Sequence, residues 1–212
     1  MRIAVYSGSF DPLHVGHQAI MAYLTQVRDF DWVYLVVSPQ NPLKDAGKAL
    51  SASRRYEDAV QAVRRHPELH VWVDDIELKM PPPHYTIRTL DALKKREPEN
   101  EFSLIIGADN LENIHRWRDF PRILGEYGVT VYPRKGYDIA RIRELLYTEM
   151  RQLPCPYVLD ASILHESPGT WSLEDHEGLY KIQIVDAPIT DISSTEIREK
   201  QAQGIDMSAF LM

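Results

Sequence analysis

The chain holds a single cysteine, Cys155, in 212 residues. One thiol excludes an intrachain disulfide and any cysteine-rich zinc cluster, and it suits a reducing compartment. A basic excess is missing as well: 24 Lys and Arg against 31 Asp and Glu leave a formal charge of −7. A general nucleic-acid binder needs a basic stripe to neutralise phosphates, so that class is disfavoured, and any anionic ligand has to be held by local positive groups. No apolar run approaches membrane-spanning length. The start, Met-Arg-Ile-Ala-Val-Tyr-Ser-Gly, has too short an apolar run for a signal peptide. The expectations are therefore no nucleic-acid partner, no membrane partner and a cytoplasmic location. Internal repeats and low-complexity tracts are also lacking, and homo-oligomer formation is left open.

What is present is an ordinary globular composition, 44% hydrophobic and 26% charged. Apolar runs at Ile3–Tyr6, Val33–Val37, Val71–Val73, Phe102–Ile106 and Val129–Tyr132 alternate with helical patterns at Gln18–Val27, Ser51–Arg65, Thr86–Arg96 and Ile139–Leu153. That alternation predicts an α/β fold, a doubly wound and mainly parallel sheet with helices on both faces. In the second helix Tyr56, Ala59, Val60 and Val63 recur at one-face spacing, and its arginines are expected to face water. Residues 154–178, with Pro154, Pro156, Pro168 and Gly169, are the least periodic and read as a loop insertion within a single domain spanning 1–212, before a last strand at Tyr180–Val185. Ligands of open α/β sheets sit beyond the carboxyl ends of the strands, which directs attention to the Gly8–His17, Ser38–Lys44 and Gly107–Asp109 segments, expected to face one crevice.

The segment Gly8-Ser9-Phe10-Asp11-Pro12-Leu13-His14-Val15-Gly16-His17 follows the first strand directly. Gly8 permits close approach of an anion, Pro12 stiffens the turn, and the next helix offers backbone N–H groups at its start, the layout of a phosphate-handling loop. His14 and His17 add donors able to carry charge near neutral pH. In a blander arrangement one histidine caps the helix and the other fills a polar niche. Gly16 shifts the balance, because glycine in a first helical turn costs about 1 kcal/mol relative to alanine and calls for a close-approach explanation. Zinc ligation by the pair lacks a companion Cys, His or Glu at metal spacing, so phosphate contact is favoured and no metal ligand is assigned. The second constellation is Ile192-Ser193-Ser194-Thr195-Glu196-Ile197-Arg198. Ser193 and Glu196 form an S-x-x-E capping-box pattern, enough to start a helix. Three consecutive hydroxyls with an arginine one turn on also describe an anion site, and the two roles are compatible.

Together these motifs resemble the nucleotidylyltransferase superfamily, in which a first-strand H-x-G-H loop and a late I-S-S-T-x-I-R segment hold a nucleoside triphosphate. Pro39-Gln40-Asn41-Pro42-Leu43-Lys44 is similar to that family's lysine-bearing loop, Tyr85-Thr86-Ile87-Arg88-Thr89-Leu90 to its Y-T-x-x-T-L helix start, and Ile106-Gly107-Ala108-Asp109 with Trp117 to its I-G-A-D…W block. The ordered set, over most of residues 1–150 and again 184–198, resembles the bacterial nicotinate-nucleotide adenylyltransferases. The resemblance implies a Rossmann-like nucleotidylyltransferase domain, ATP and nicotinate mononucleotide as substrates, and Mg²⁺ accompanying ATP. It further implies that Gly8, Ser9, Phe10, His14 and His17 meet the phosphates, with Lys44, Ser194, Thr195 and Arg198 completing the cradle. His14, His17, Lys44 and Arg198 are the groups given catalytic work. Asp109 is similar to a ribose-binding aspartate, and Gly107 lets the nucleoside lie against the strand end. Trp117 resembles a platform for the pyridine ring, with Asn41, Tyr85 and Thr86 beside the same substrate. Without the resemblance, Asp109 reads as a cap for an Asn110–Trp117 helix, Trp117 as core packing and Lys44 as a solvated loop charge. Three features depart from the family pattern: His84 in place of serine, Lys135 in place of the proline of an R-P-G-like segment, and a longer 154–178 stretch.

The implied reaction joins nicotinate mononucleotide to ATP, giving deamido-NAD (nicotinate adenine dinucleotide) and pyrophosphate by direct in-line attack without a covalent enzyme intermediate. The nucleophile is a phosphate monoester whose second pKa of about 6 leaves it largely dianionic at pH 7, so no protein base is required. The demand moves to aligning two anions and neutralising charge on the α-phosphate and departing pyrophosphate. Mg²⁺ is expected on phosphate oxygens and water, without a protein ligand. Nicotinamide mononucleotide and phosphopantetheine are competing acceptors; Trp117 and Tyr85-Thr86 favour a pyridine, while carboxylate against amide is left open. A non-catalytic nucleotide sensor that retains the cradle is the alternative from a different class.

Overall fold

The computed structural model describes residues 1–39, 51–138, 140–142, 144–145, 148, 164–167, 170–173, 181–185 and 187–212. They divide into two compact units, Met1–His84 with Pro188–Met212, and Tyr85–Ala187.

In the first unit β1 (Arg2–Gly8), β2 (Trp32–Val37) and β3 (Val71–Asp74) run parallel with β2 in the middle, Gly8 beside Val37 and Val36 beside Asp74. Ile3, Ala4 and Val5 in β1 and Val33, Leu35, Val36 and Val37 in β2 are buried. Continuous rather than alternating apolar runs are what strands covered on both faces require. α1 (Val15–Gln26) follows β1 and buries Gly16, Ile20, Met21 and Leu24. It starts three residues before the expected Gln18, because His14 caps it, and histidine is outside the usual Ser, Thr, Asp and Asn capping set. The helix Ser194–Ala202 belongs to the same unit and is seated by a cluster of Ile192, Ile197 and Met207, with Val15 against it. Full burial of one such isoleucine is worth about 1.5–3 kcal/mol.

α2 (Ala52–Arg64) is capped by Ser51, whose Oγ accepts from the Arg54 N–H at 3.3 Å. Its buried face corrects the sequence reading. Arg55, Ala59 and Ala62 are buried, whereas Tyr56, Val60 and Val63 are half-buried. The face turns toward Arg55 because that guanidinium finds backbone acceptors inside, so one arginine expected in water is among the most buried residues of the helix, 3% exposed.

In the second unit β4 (Glu101–Gly107), β5 (Val129–Tyr132) and a last strand at Ile182–Val185 are parallel, with β5 in the middle. β6 (Leu164–Ser167) and β7 (Thr170–Leu173) are antiparallel to each other, and β7 pairs antiparallel with Ile182–Val185, here β8. Part of the stretch read as irregular therefore holds two strands. Each is only four residues long, too short to show a period, and the Pro168-Gly169 dipeptide between them in sequence reads as loop punctuation. The helix Thr86–Arg96 has the expected bounds and buries Ile87, Leu90 and Leu93. The helix expected over Ile139–Leu153 lies largely outside the described residues; 140–142, 144–145 and 148 are helical, and Asp138 Oδ1 accepts from Ala140 N–H at 2.9 Å. Three parallel strands in each unit, with helices between strands in sequence, give the Rossmann-like α/β class expected. Among the described residues no helix is long and apolar enough to cross a membrane.

Candidate active site

Where β1 gives way to α1, the two histidines hold each other. His14 is the N-cap of α1: its Nδ1 accepts from the Gly16 N–H at 3.1 Å, while the His14 backbone N–H donates to His17 Nδ1 at 3.2 Å. This is a capping box made by His-x-x-His instead of Ser and Glu. A ring nitrogen that accepts a hydrogen bond holds no proton, so in both neutral rings the proton sits on Nε2. Each histidine is thereby a donor without being charged, and the bland capping role and the ligand role use opposite edges of the same ring. The ring centroids lie 3.8 Å apart. No acidic residue occupies the first turn of α1, so the positive end of its dipole is uncompensated by a carboxylate of that turn.

Close packing fixes this arrangement. A Cβ on Gly16 would collide with Thr190 Oγ1 and stand 3.0 Å from the His14 ring. The close approach that this glycine calls for is thus met within the protein. The Phe10 ring is buried, edge-on to Tyr6 and His17 at 5.4 and 5.2 Å, and 3.1 Å from where a Gly8 Cβ would be. Phe10 itself has φ 45°, in the left-handed region that an aromatic residue rarely adopts. Only its backbone remains for ligand contact.

The I-S-S-T segment is latched onto this loop. Ser194 Oγ donates to the Pro12 carbonyl at 3.0 Å. Arg198 Nη1 donates to the Asp11 carbonyl and lies 3.7 Å from Asp11 Oδ2, and its Nη2 donates to Thr195 Oγ1 at 3.2 Å. Asp11, absent from the sequence assignment because Asp-Pro reads as a turn, is 4% exposed. Ser193 caps its helix by accepting from Glu196 N–H at 3.1 Å, but Glu196 Oε1 pairs with Lys200 at 2.6 Å, so the S-x-x-E box expected there is half a box.

Beneath both loops lies Arg55. It donates to the Ser9 carbonyl at 2.5 Å and to the Ser38 and Pro39 carbonyls at 2.9 and 3.0 Å. Burial pulls its pKa down and the nearby Asp11 carboxylate opposes that shift. The segments after β1 and β2 are further joined by Ser7 Oγ and Ser38 Oγ, 3.0 Å apart, and by Ser38 N–H donating to the Gly8 carbonyl at 2.9 Å. Lys44 and Asn41 lie outside the described residues.

The second unit carries the remaining assigned groups. Gly107 is the N-cap of the helix Ala108–Leu111, which makes Asp109 its second residue and removes the capping role considered for it; the helix expected over 110–117 is broken into this piece and a tight turn at Ile114–Arg116. A Cβ on Gly107 would collide with Asp109 Oδ1 and come within 3.0 Å of Arg134 Nε. Asp109 Oδ1 is buried without a hydrogen-bond partner, in ion-pair contact with Arg134 Nε at 3.5 Å. Arg134 in turn donates to Tyr132 Oη at 3.2 Å and lies over that ring. Sequence reasoning passed over Arg134; the signal available was the R-P-G-like segment in which it stands. Trp117 ends the Ile114–Arg116 turn, half-buried, its N–H donating to the Ile114 carbonyl at 2.9 Å. Tyr85 precedes the helix Thr86–Arg96 and is 45% exposed. Among the described residues no three His, Cys, Asp or Glu side chains stand together as a metal cage.

The cytidylyltransferase-like family matches residues 5–200. A Flavobacterium johnsoniae protein named "Probable nicotinate-nucleotide adenylyltransferase" is 33% identical over 211 residues, covering 100% of this chain and 92% of that protein. A Porphyromonas gingivalis protein of the same name is 35% identical over 213 residues, covering 100% and 89%. Among solved structures, Plasmodium falciparum nicotinic acid mononucleotide adenylyltransferase complexed with NaAD superposes with a TM-score of 0.68 at 17% identity, over 98% of this chain and 87% of that one. At that identity the superposition establishes the fold.

Proposed function

This chain belongs to the cytidylyltransferase-like family, and from that premise we propose that it transfers the adenylyl group of ATP to nicotinate mononucleotide, forming nicotinate adenine dinucleotide and pyrophosphate in NAD biosynthesis. The observation that carries the chemistry is the reciprocal cap of His14 and His17, which supports two neutral Nε2–H donors at the positive end of α1. Such donors suit charge that builds on phosphoryl oxygens during transfer and are poorly suited to removing a proton. A phosphate oxygen of the mononucleotide attacks the α-phosphorus of ATP, the bond from that phosphorus to the bridging oxygen breaks, and pyrophosphate leaves with the electron pair. The dianionic nucleophile carries no proton to be removed.

In this reading His14 and His17 donate to the phosphates on the first unit, as do Ser194 and Thr195, while Arg198 and Lys44 neutralise their charge. Arg198 and Ser194 hold the loop's own carbonyls, which supports a dual role in shaping the loop and meeting the anion. On the second unit Asp109 offers a carboxylate oxygen to ribose hydroxyls, and Trp117 with Tyr85 and Thr86 takes the pyridine. Mg²⁺ is proposed as the companion of the triphosphate, held by its oxygens and water; the donor set described above offers it no cage, and no step is assigned to it. The test is pyrophosphate release with ATP and Mg²⁺ against nicotinate mononucleotide, nicotinamide mononucleotide and phosphopantetheine in parallel. Turnover highest with nicotinate mononucleotide is expected; no turnover with either pyridine mononucleotide would overturn the reading.

A further inference from the structure

We propose that Arg55, which meets no substrate, is a positioning residue that sets the anion cradle by fixing the loops after β1 and β2 to one another. Three backbone carbonyls, Ser9 from the first loop and Ser38 and Pro39 from the second, converge on one guanidinium that is 3% exposed. A buried cation of this kind is stable only when its donors are filled, and its planar fork spreads them across carbonyls of both loops, so the two loops cannot shift independently without stranding it. The peptide plane gives the contact a direction. In a trans peptide the C=O and the following N–H point opposite ways, so drawing the Ser9 carbonyl onto Arg55 turns the Phe10 N–H away from it. Phe10 has φ 45°, a conformation kept only where its surroundings over-determine it, and the Arg55 contact is immediately adjacent. Asp11, one residue further on, is near Arg55 and in ion-pair contact with Arg198, so a single buried carboxylate stands between α2 and the helix Ser194–Ala202. The second loop leads directly to Asn41 and Lys44, whose assigned contacts need that loop held in register.

The inference deepens the proposed adenylyl transfer and rests on it for its kinetic form. The test compares wild type with Arg55→Met and Arg55→Lys by thermal unfolding, by steady-state kinetics varying each substrate, and by titration calorimetry of ATP with Mg²⁺. Wild-type turnover reports on the proposed reaction; ATP affinity reports on Arg55 whether or not that reaction is the right one. Loss of the fork is expected to raise the KM and Kd for ATP by about tenfold in Arg55→Met and several-fold in Arg55→Lys, with the KM for nicotinate mononucleotide, assigned to Asn41 on the second loop, rising by a smaller factor. A merely structural role would lower kcat with the folded fraction and leave both KM values alone, and that outcome would overturn the proposal. Should Arg55→Met not fold, Arg55→Lys decides it: wild-type ATP affinity in that folded variant overturns the proposal equally.

Discussion

The two units handle the polar groups assigned to the proposed site in opposite ways. In the first, His14, His17, Ser194, Arg198, Arg55 and Asp11 are tied to backbone and to each other around the loop after β1. In the second, Asp109 keeps a buried oxygen without a hydrogen bond, and Trp117 and Tyr85 stand partly or well exposed. A densely charged anion, such as the triphosphate proposed for the first unit, rewards a cradle built before it arrives. A nucleoside or a pyridine ring rewards groups that find their partners on binding. Changes in the first unit should therefore act on the fold of the loop together with rate or ATP affinity, whereas changes in the second should act on one substrate's affinity with little cost to stability.

The strongest break in that comparison is His17→Ala. It removes a donor and half of the reciprocal cap, and a fall in kcat of about 10²–10³ is expected, the loss typical of one preorganised donor, with secondary structure unchanged by circular dichroism. Turnover within tenfold of wild type would remove His17 from the reaction. Gly16→Ala comes next: its Cβ meets Thr190 and the His14 ring, and a loss of about 1–3 kcal/mol in denaturant unfolding is expected along with reduced kcat. Asp109→Asn sharpens the contrast from the other side. The oxygen affected makes no hydrogen bond now, so the KM for ATP should rise about tenfold while Tm stays within about 2 °C. Trp117→Ala should raise the KM for nicotinate mononucleotide several-fold more than that for ATP; equal rises would contradict ring stacking.

The smallest effect concerns a surface network in the second unit. Asp91 loses some charge preference to partial burial, but hydrogen bonds from Arg122 at 3.0 Å and from Tyr127 at 2.7 Å, with the Arg122 charge, win and hold its pKa below the ordinary carboxylate value. A lowered folded-state pKa contributes stability above the unfolded value, about 3.9, that is lost as pH falls through the lower folded value. Asp91→Asn should lower Tm by no more than about 2 °C at pH 7, since the pair is largely exposed, and by less as the pH drops below 4. A difference that grows on acidification would contradict the assignment.

Strands were the most legible part of the sequence, because β1 and β2 carry uninterrupted apolar runs, and β4 and β5 runs broken only by Ser103 and Thr130, as a doubly covered sheet requires. The helix Thr86–Arg96 was equally plain from its periodicity. The misreadings share one cause. The start of α1 at Val15, Arg55 as a core residue and Asp109 as a helix interior all depend on which backbone atoms happen to lie within reach, and composition and period carry no record of that. The motif histidines were found by the pattern of residue types; the tautomer that makes them donors became readable only from the two Nδ1 contacts.

The latch between the first loop and the helix Ser194–Ala202 joins positions 182 and 187 residues apart, and the whole of the second unit is encoded between them. During synthesis the histidine loop leaves the ribosome well before Ser194 and Arg198, so a nascent chain lacks this latch until the second unit has been made. Closing so long a segment adds only a slowly growing entropic cost, yet it makes the loop after β1 depend on a helix encoded beyond the second unit.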